Sequence, residues 1–137
     1  MRTGLRIKGS RGNPVVKDAL VRYAKWLRRR YEFPVRVPVY LFPGNYIITS
    51  DGDKVAASFF APYSRDVEPY IRIATGGYSE LLENSSRDDA LAAYITSFSH
   101  EIVHYFQWIK TGDVHERGVA QRALKMLEEY AENVEAP

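Results

Sequence analysis

The sequence predicts an α+β domain: an N-terminal helix, a three- to four-stranded, mainly antiparallel sheet, and then two helices. Three observations predict it. Apolar residues recur at helical spacing at Val16, Leu20, Tyr23, Ala24 and Leu27, and again from Leu91 to Ile109. Between those runs, residues 35–74 are rich in β-branched and aromatic side chains punctuated by turn formers. The coarse order is helix, antiparallel meander, helix, helix, which is an α+β arrangement.

Each element has its own signal. Residues 1–12 are basic and contain three glycines, and read as a loose arm or a short edge strand. Asn13-Pro14 is a helix start, with Asn13 as N-cap and Pro14 at the first helical position. The helix it opens is amphipathic, with Lys17, Arg22, Lys25, Arg28 and Arg29 opposite the apolar stripe, and it ends near Tyr31, before Phe33-Pro34. Residues 35–42 form a strand in which Pro38 suggests an edge or a bulge. Residues 46–49 form a second strand, Asp51-Gly52 a hairpin turn, residues 55–61 a third strand and residues 70–74 a fourth. Gly76-Gly77 breaks the chain. Ser86 with Asp89 three residues on resembles a capping box that opens a helix running to about Lys110. Thr111-Gly112-Asp113 is a short connection, and Asp113 can cap a final helix from about Val114 to Val134.

At 137 residues and 45% hydrophobic content, the chain suits one domain spanning 1–137, with one modest core. It has no signal-peptide-like start and no apolar run long enough for a bilayer. Cysteine is absent, which excludes disulfides and thiolate metal sites and makes a cytoplasmic location the simplest expectation. The net charge of +2 hides an asymmetry: residues 1–36 carry +9 and the remainder −7. Such blocks can mark a nucleic-acid surface, but a solvated helix face is the more economical reading, so a nucleic-acid partner is open without being favoured.

One stretch carries chemistry. Ser99-His100-Glu101-Ile102-Val103-His104 contains H-E-x-x-H inside a helix. Residues four apart share a helix face, so both imidazoles can reach one ion. Zinc suits imidazole nitrogen, and a catalytic zinc takes three protein ligands and a water. Glu101 can accept that water's proton as general base. The apolar stripe Leu91, Ile95, Phe98, Ile102, Tyr105 and Ile109 lies on another face, and the histidines share theirs with the small residues Ala93 and Ser97. The competing reading is a pair of ordinary histidines flanking a solvated glutamate.

A third ligand is needed, and the candidates are His115, Glu116, Glu128, Glu129 and Glu132. With Ala120, Ala123, Leu124, Leu127, Ala131 and Val134 as the apolar stripe of the last helix, Glu116 falls near the centre of that stripe. There a carboxylate requires a partner. Glu128 falls on the edge, and Glu129 and Glu132 point away. A short connection also brings Glu116, and not Glu128, level with His104. Against this, Asp113-x-x-Glu116 also reads as a capping box, the second-ranked role for Glu116. His115 ranks second as a ligand or as an oxyanion donor, and Tyr105 and Tyr130 are further oxyanion candidates unless they are core residues.

These residues resemble the zincin metallopeptidases. A glutamate as third ligand makes them similar to the gluzincin branch, and the small size and element order resemble the minigluzincins over roughly residues 35–134. The specific part is His100-Glu101-Ile102-Val103-His104. The resemblance implies His100, His104 and Glu116 as Zn2+ ligands, Glu101 as the group that polarises water, and a peptide or protein substrate. It further implies an edge strand, residues 55–61, that pairs with substrate backbone. It also permits a latent form with a blocked cleft. The chain departs from the family in lacking an Asn-Glu motif on its last helix, and it lacks the metzincin and SprT-like third-histidine segments. The expectation is therefore a zinc-dependent metallopeptidase. The alternatives are an SprT-like, nucleic-acid-associated protease and a non-enzymatic binding module on the same scaffold.

Overall fold

The computed structural model describes residues 2–9 and 11–133. It is an α+β fold whose elements run β1 (Leu5–Lys8), α1 (Pro14–Arg30), β2 (Val37–Phe42), β3 (Ile47–Ile48), β4 (Lys54–Val55), β5 (Ala57–Phe60), β6 (Tyr70–Ala74), α2 (Tyr78–Asn84), α3 (Arg87–Thr111) and α4 (Val119–Asn133). The strands form a four-stranded sheet in the order β1-β2-β6-β5 and a separate β3-β4 hairpin.

Capping fixes the two principal helices. Asn13 accepts hydrogen bonds from the backbone N–H of Val15 and Val16 at 2.9 and 3.3 Å, and Pro14 starts α1 where no donor is lost. Ser86 accepts from Asp89 N–H at 3.1 Å to open α3. Gly112, in the left-handed region at φ 83°, closes it by donating to Trp108 carbonyl at 2.8 Å. α3 is the spine of the core. Leu91, Ile95, Phe98, Ile102 and Tyr105 are all fully buried, against α1 on one side and strands β5 and β6 on the other.

The sheet differs from the expected antiparallel meander. β1 pairs parallel with β2, and β2 parallel with β6; only β5 with β6 is antiparallel. The cause is the connections. α1 carries the chain from the end of β1 back to the start of β2, which requires a parallel pair. The β3-β4 hairpin and β5 then intervene before β6 takes the place beside β2. The expected loose arm is thus partly ordered: Leu5–Lys8 is an edge strand, with Leu5 buried (Ser10 lies outside the described residues). Pro38 lies in an interior strand instead of at an edge. Val37 N–H donates to Gly4 on the β1 side, so the Pro38 nitrogen faces β6, and that ladder starts only at Val39 opposite Ile71. The missing donor therefore falls before the first rung.

The C-terminal end also differs. α4 starts at Val119, five residues later than expected, and residues 112–118 form an exposed connection. Gly118, at φ 74°, is the second left-handed glycine of that connection. The buried face of α4 is Val119, Ala123, Met126 and Tyr130, about a residue out of step with the expected stripe, and Leu124 is exposed. Val134, assigned to that stripe, lies outside the described residues. α2 is an element that the Gly76-Gly77 break concealed. Among the described residues, no helix is long and apolar enough to cross a membrane.

Candidate metal centre

The spacing of His100 and His104 on α3 sets their rings one turn apart and edge to face, with centroids 5.0 Å from each other. Glu116 approaches from the connection between α3 and α4. Its two carboxylate oxygens divide between them: Oε2 lies 3.0 Å from His100 Nε2, and Oε1 lies 2.9 Å from His104 Nε2. One ligand atom from each of the three residues falls within 4.8 Å of the others, so the group could hold a metal ion.

The surroundings of His104 fit such an ion. Its Nδ1 lies 2.9 Å from Gln107 Oε1, and the backbone N–H of His115 donates to that same oxygen at 3.1 Å. An oxygen that accepts a backbone N–H is an acceptor, so Nδ1 of His104 carries the proton in that pair. In the neutral ring, Nε2 then presents a lone pair towards a carboxylate oxygen. Two acceptors at 2.9 Å need a cation between them, and either a proton or a metal serves. Orientation of a ligating imidazole through its other nitrogen is the usual outer-shell arrangement of metal sites. Gln107 was missed in the sequence; its position three residues after His104, on the same helix face, is the signal that could have found it.

The three groups differ in burial. The His104 side chain is 5% exposed and that of Glu116 is 73% exposed. Partial burial acts in the opposite direction, but the two histidines together hold the Glu116 carboxyl below its ordinary range. Glu101, next to His100, is buried. Burial, and after it the charge of Glu116, push its carboxyl up to about 8. A divalent cation held by the neighbouring groups acts in the opposite sense and favours the carboxylate.

The other sequence candidates are placed elsewhere. Glu116 joins the histidines, but not for the reason given by helical periodicity: it precedes α4 and is largely exposed instead of sitting on a buried helix face. The Asp113–Glu116 capping box does not form, because the helix starts at Val119. His115 contributes its backbone N–H to Gln107, and its ring is not part of the ligand group. Glu128 and Glu132 are exposed on α4, and Glu129 pairs with Arg30. Tyr105 is fully buried, donating to Val35 carbonyl and accepting from Val35 N–H. Tyr130 packs edge-on against Tyr23 in the core. Neither tyrosine reaches the centre as an oxyanion donor.

Two features flank the site. Ala93 and Ser97, on the same face of α3 and N-terminal to His100, line a cleft of about 490 Å3 together with Ala56, Ala74, Gly76 and Glu80. The stretch expected as one strand over residues 55–61 is divided. Val55 pairs with Ile47 in the hairpin, whereas Ala57–Phe60 is the edge of the main sheet and packs against α3.

No family model, curated protein or solved structure matches this chain.

Proposed function

We propose that the chain is a zinc-dependent metallopeptidase of gluzincin type, acting on a peptide or protein substrate from a cytoplasmic location. The observation that carries the reading is the convergence of His100 Nε2 and His104 Nε2 on the two oxygens of Glu116, with Glu101 buried beside them. His100, His104 and Glu116 would hold the ion, a three-ligand donor set of the kind catalytic zinc uses. Zinc bound there would supply Lewis acidity that lowers the pKa of water towards neutrality. Glu101 takes up the proton at a carboxylate oxygen and returns it to the leaving amine. Gln107 keeps His104 in the tautomer whose Nε2 is free to ligate. The free edge of β5 offers backbone groups to an extended substrate.

The donor set suits zinc: two imidazoles and one carboxylate, with no thiolate in the chain. A four-ligand structural site would need a further protein donor, and the His115 ring does not join the group. That weighs against the non-enzymatic module. The SprT-like alternative would recruit substrate through the basic face of α1. There Arg22 pairs with Asp18, and Arg28 donates to Leu5 carbonyl at 3.0 Å, which weakens that case.

The test combines metal content with activity. Purified protein should carry about one zinc per chain, and His104→Ala should lose most of it. Glu101→Gln should keep the zinc and the fold but lose hydrolysis of a quenched-fluorescent peptide library. Full zinc retention in His104→Ala, or equal hydrolysis by Glu101→Gln, would overturn the reading.

A further inference from the structure

The four-stranded sheet has two unlike faces. One carries Leu5, Val37, Val39, Leu41, Ile71 and Ile73, all buried beneath α1 and α3. Among the described residues, no helix packs over the other. Alternation along the strands places Arg6, Lys8, Tyr40, Phe42, Ser58, Phe60, Tyr70 and Arg72 there, with the small Pro38 and Ala74 buried on the same face. Register puts Lys8, Tyr40, Arg72 and Ser58 side by side in one row across all four strands, with Phe60 opposite Tyr70 in the next. The rings form a connected group. Tyr40 lies 6.0 Å from Tyr70, and Tyr70 stacks on Phe60 at 4.9 Å. Arg72 Nε donates to Ser58 Oγ at 3.2 Å, which holds the guanidinium on the sheet. None of the four strands contains an aspartate or glutamate, and Arg6, Lys8 and Arg72 make no ion pair among the described residues.

We propose that this open sheet face binds single-stranded nucleic acid, with bases stacking on Tyr40, Phe42 and the Phe60–Tyr70 pair and phosphates meeting Lys8, Arg6 and Arg72. Stacking rings beside a cationic track are the two elements that unpaired strands require. A duplex hides its bases from flat rings. A second copy of the chain would bring the same uncompensated cations face to face. A bilayer calls for apolar side chains that project. Here Tyr40 is 41% and Phe60 44% exposed, so both lie partly against the sheet. The proposal does not depend on the metallopeptidase reading. It also moves the nucleic-acid contact that the basic first 36 residues suggest from α1 to β1.

Fluorescence anisotropy of a labelled oligo(dT) with the full chain tests it. Binding should appear at low salt, weaken as salt rises, and be poorly competed by duplex. Tyr40→Leu and Phe60→Leu keep apolar bulk on the strand and should each weaken binding about tenfold with an unchanged circular dichroism spectrum. Lys8→Gln and Arg72→Gln should each flatten the logarithmic salt slope by about 0.7. Lys25→Gln and Arg29→Gln on α1 should change nothing. If a ring variant fails to fold, the Arg72→Gln and Lys25→Gln pair carries the test. Four outcomes would overturn the proposal: no binding at low salt; equal binding by folded Tyr40→Leu and Phe60→Leu; loss of binding through the α1 variants; or tighter binding to phosphatidylserine vesicles than to the oligonucleotide.

Discussion

α3 and the connection that follows it supply the same candidate centre in opposite ways. α3 is capped at both ends and fully buried along one stripe, and it places His100 and His104 by helical geometry alone. Residues 112–118 are exposed throughout and begin and end at left-handed glycines, yet they deliver Glu116 to within hydrogen-bond distance of both rings. The difference shows where each part of such a site is determined. The histidines are fixed by the fold. The glutamate is fixed by a few local bonds: His115 N–H to Gln107 Oε1, and Val119 N–H to the Glu116 carbonyl at 3.2 Å. Gln107 joins the two regions, because one oxygen orients His104 and anchors the connection.

That contrast can be broken at two points. The larger effect belongs to Gln107→Ala, which removes the orienting acceptor of His104 and the anchor of the connection together. Zinc affinity should fall about 10- to 100-fold, the usual consequence of losing an outer-shell partner. Thermal stability measured in chelator should move little, because the lost bonds lie at the exposed edge of α3. A competitive chelator titration measures the first quantity and a melting curve the second. If stability collapses while affinity holds, Gln107 is a structural residue and the link between the regions is not the one described. The smaller effect belongs to Gly118→Ala. No atom lies within 4 Å of the position a Cβ would take, so the cost is that of the backbone conformation alone. About 1–2 kcal/mol of stability should be lost, with zinc affinity changed less than by Gln107→Ala. A loss of affinity exceeding that of Gln107→Ala would show that the backbone of the connection, and not Gln107, positions Glu116.

The same contrast explains what the sequence disclosed. α3 was legible almost entirely: the Ser86 cap, the stripe from Leu91 to Tyr105 and the histidine spacing are all local properties of one helix. The strands were legible as segments, since β-branched and aromatic runs mark them, but their pairing was not. Parallel pairing of β1 with β2 depends on α1 packing back over the sheet, which no short window of sequence expresses. The start of α4 is hidden in the sequence because Asp113 offers a plausible cap that the fold does not use, whereas the helix begins only after the left-handed Gly118. The apolar stripe was then read about one residue out of step, although Val119, Ala123, Met126 and Tyr130 show the same periodicity. Glu116 was reached through that misread stripe. It stands beside the histidines because the connection turns it there, not because it is buried on a helix. Gln107 and α2 were overlooked, one because its role is an outer-shell contact and the other because two glycines obscured a short helix.

The most direct test of the centre compares Glu116→Gln with Glu128→Gln by competitive zinc titration, with thermal stability recorded separately in chelator. Glu116 is exposed and makes no cap, so Glu116→Gln should weaken zinc binding severely while leaving metal-free stability within about 0.5 kcal/mol of the parent chain. Glu128→Gln should bind zinc as the parent does. If Glu128→Gln loses the metal and Glu116→Gln keeps it, or if both keep it, the centre built from His100, His104 and Glu116 is contradicted.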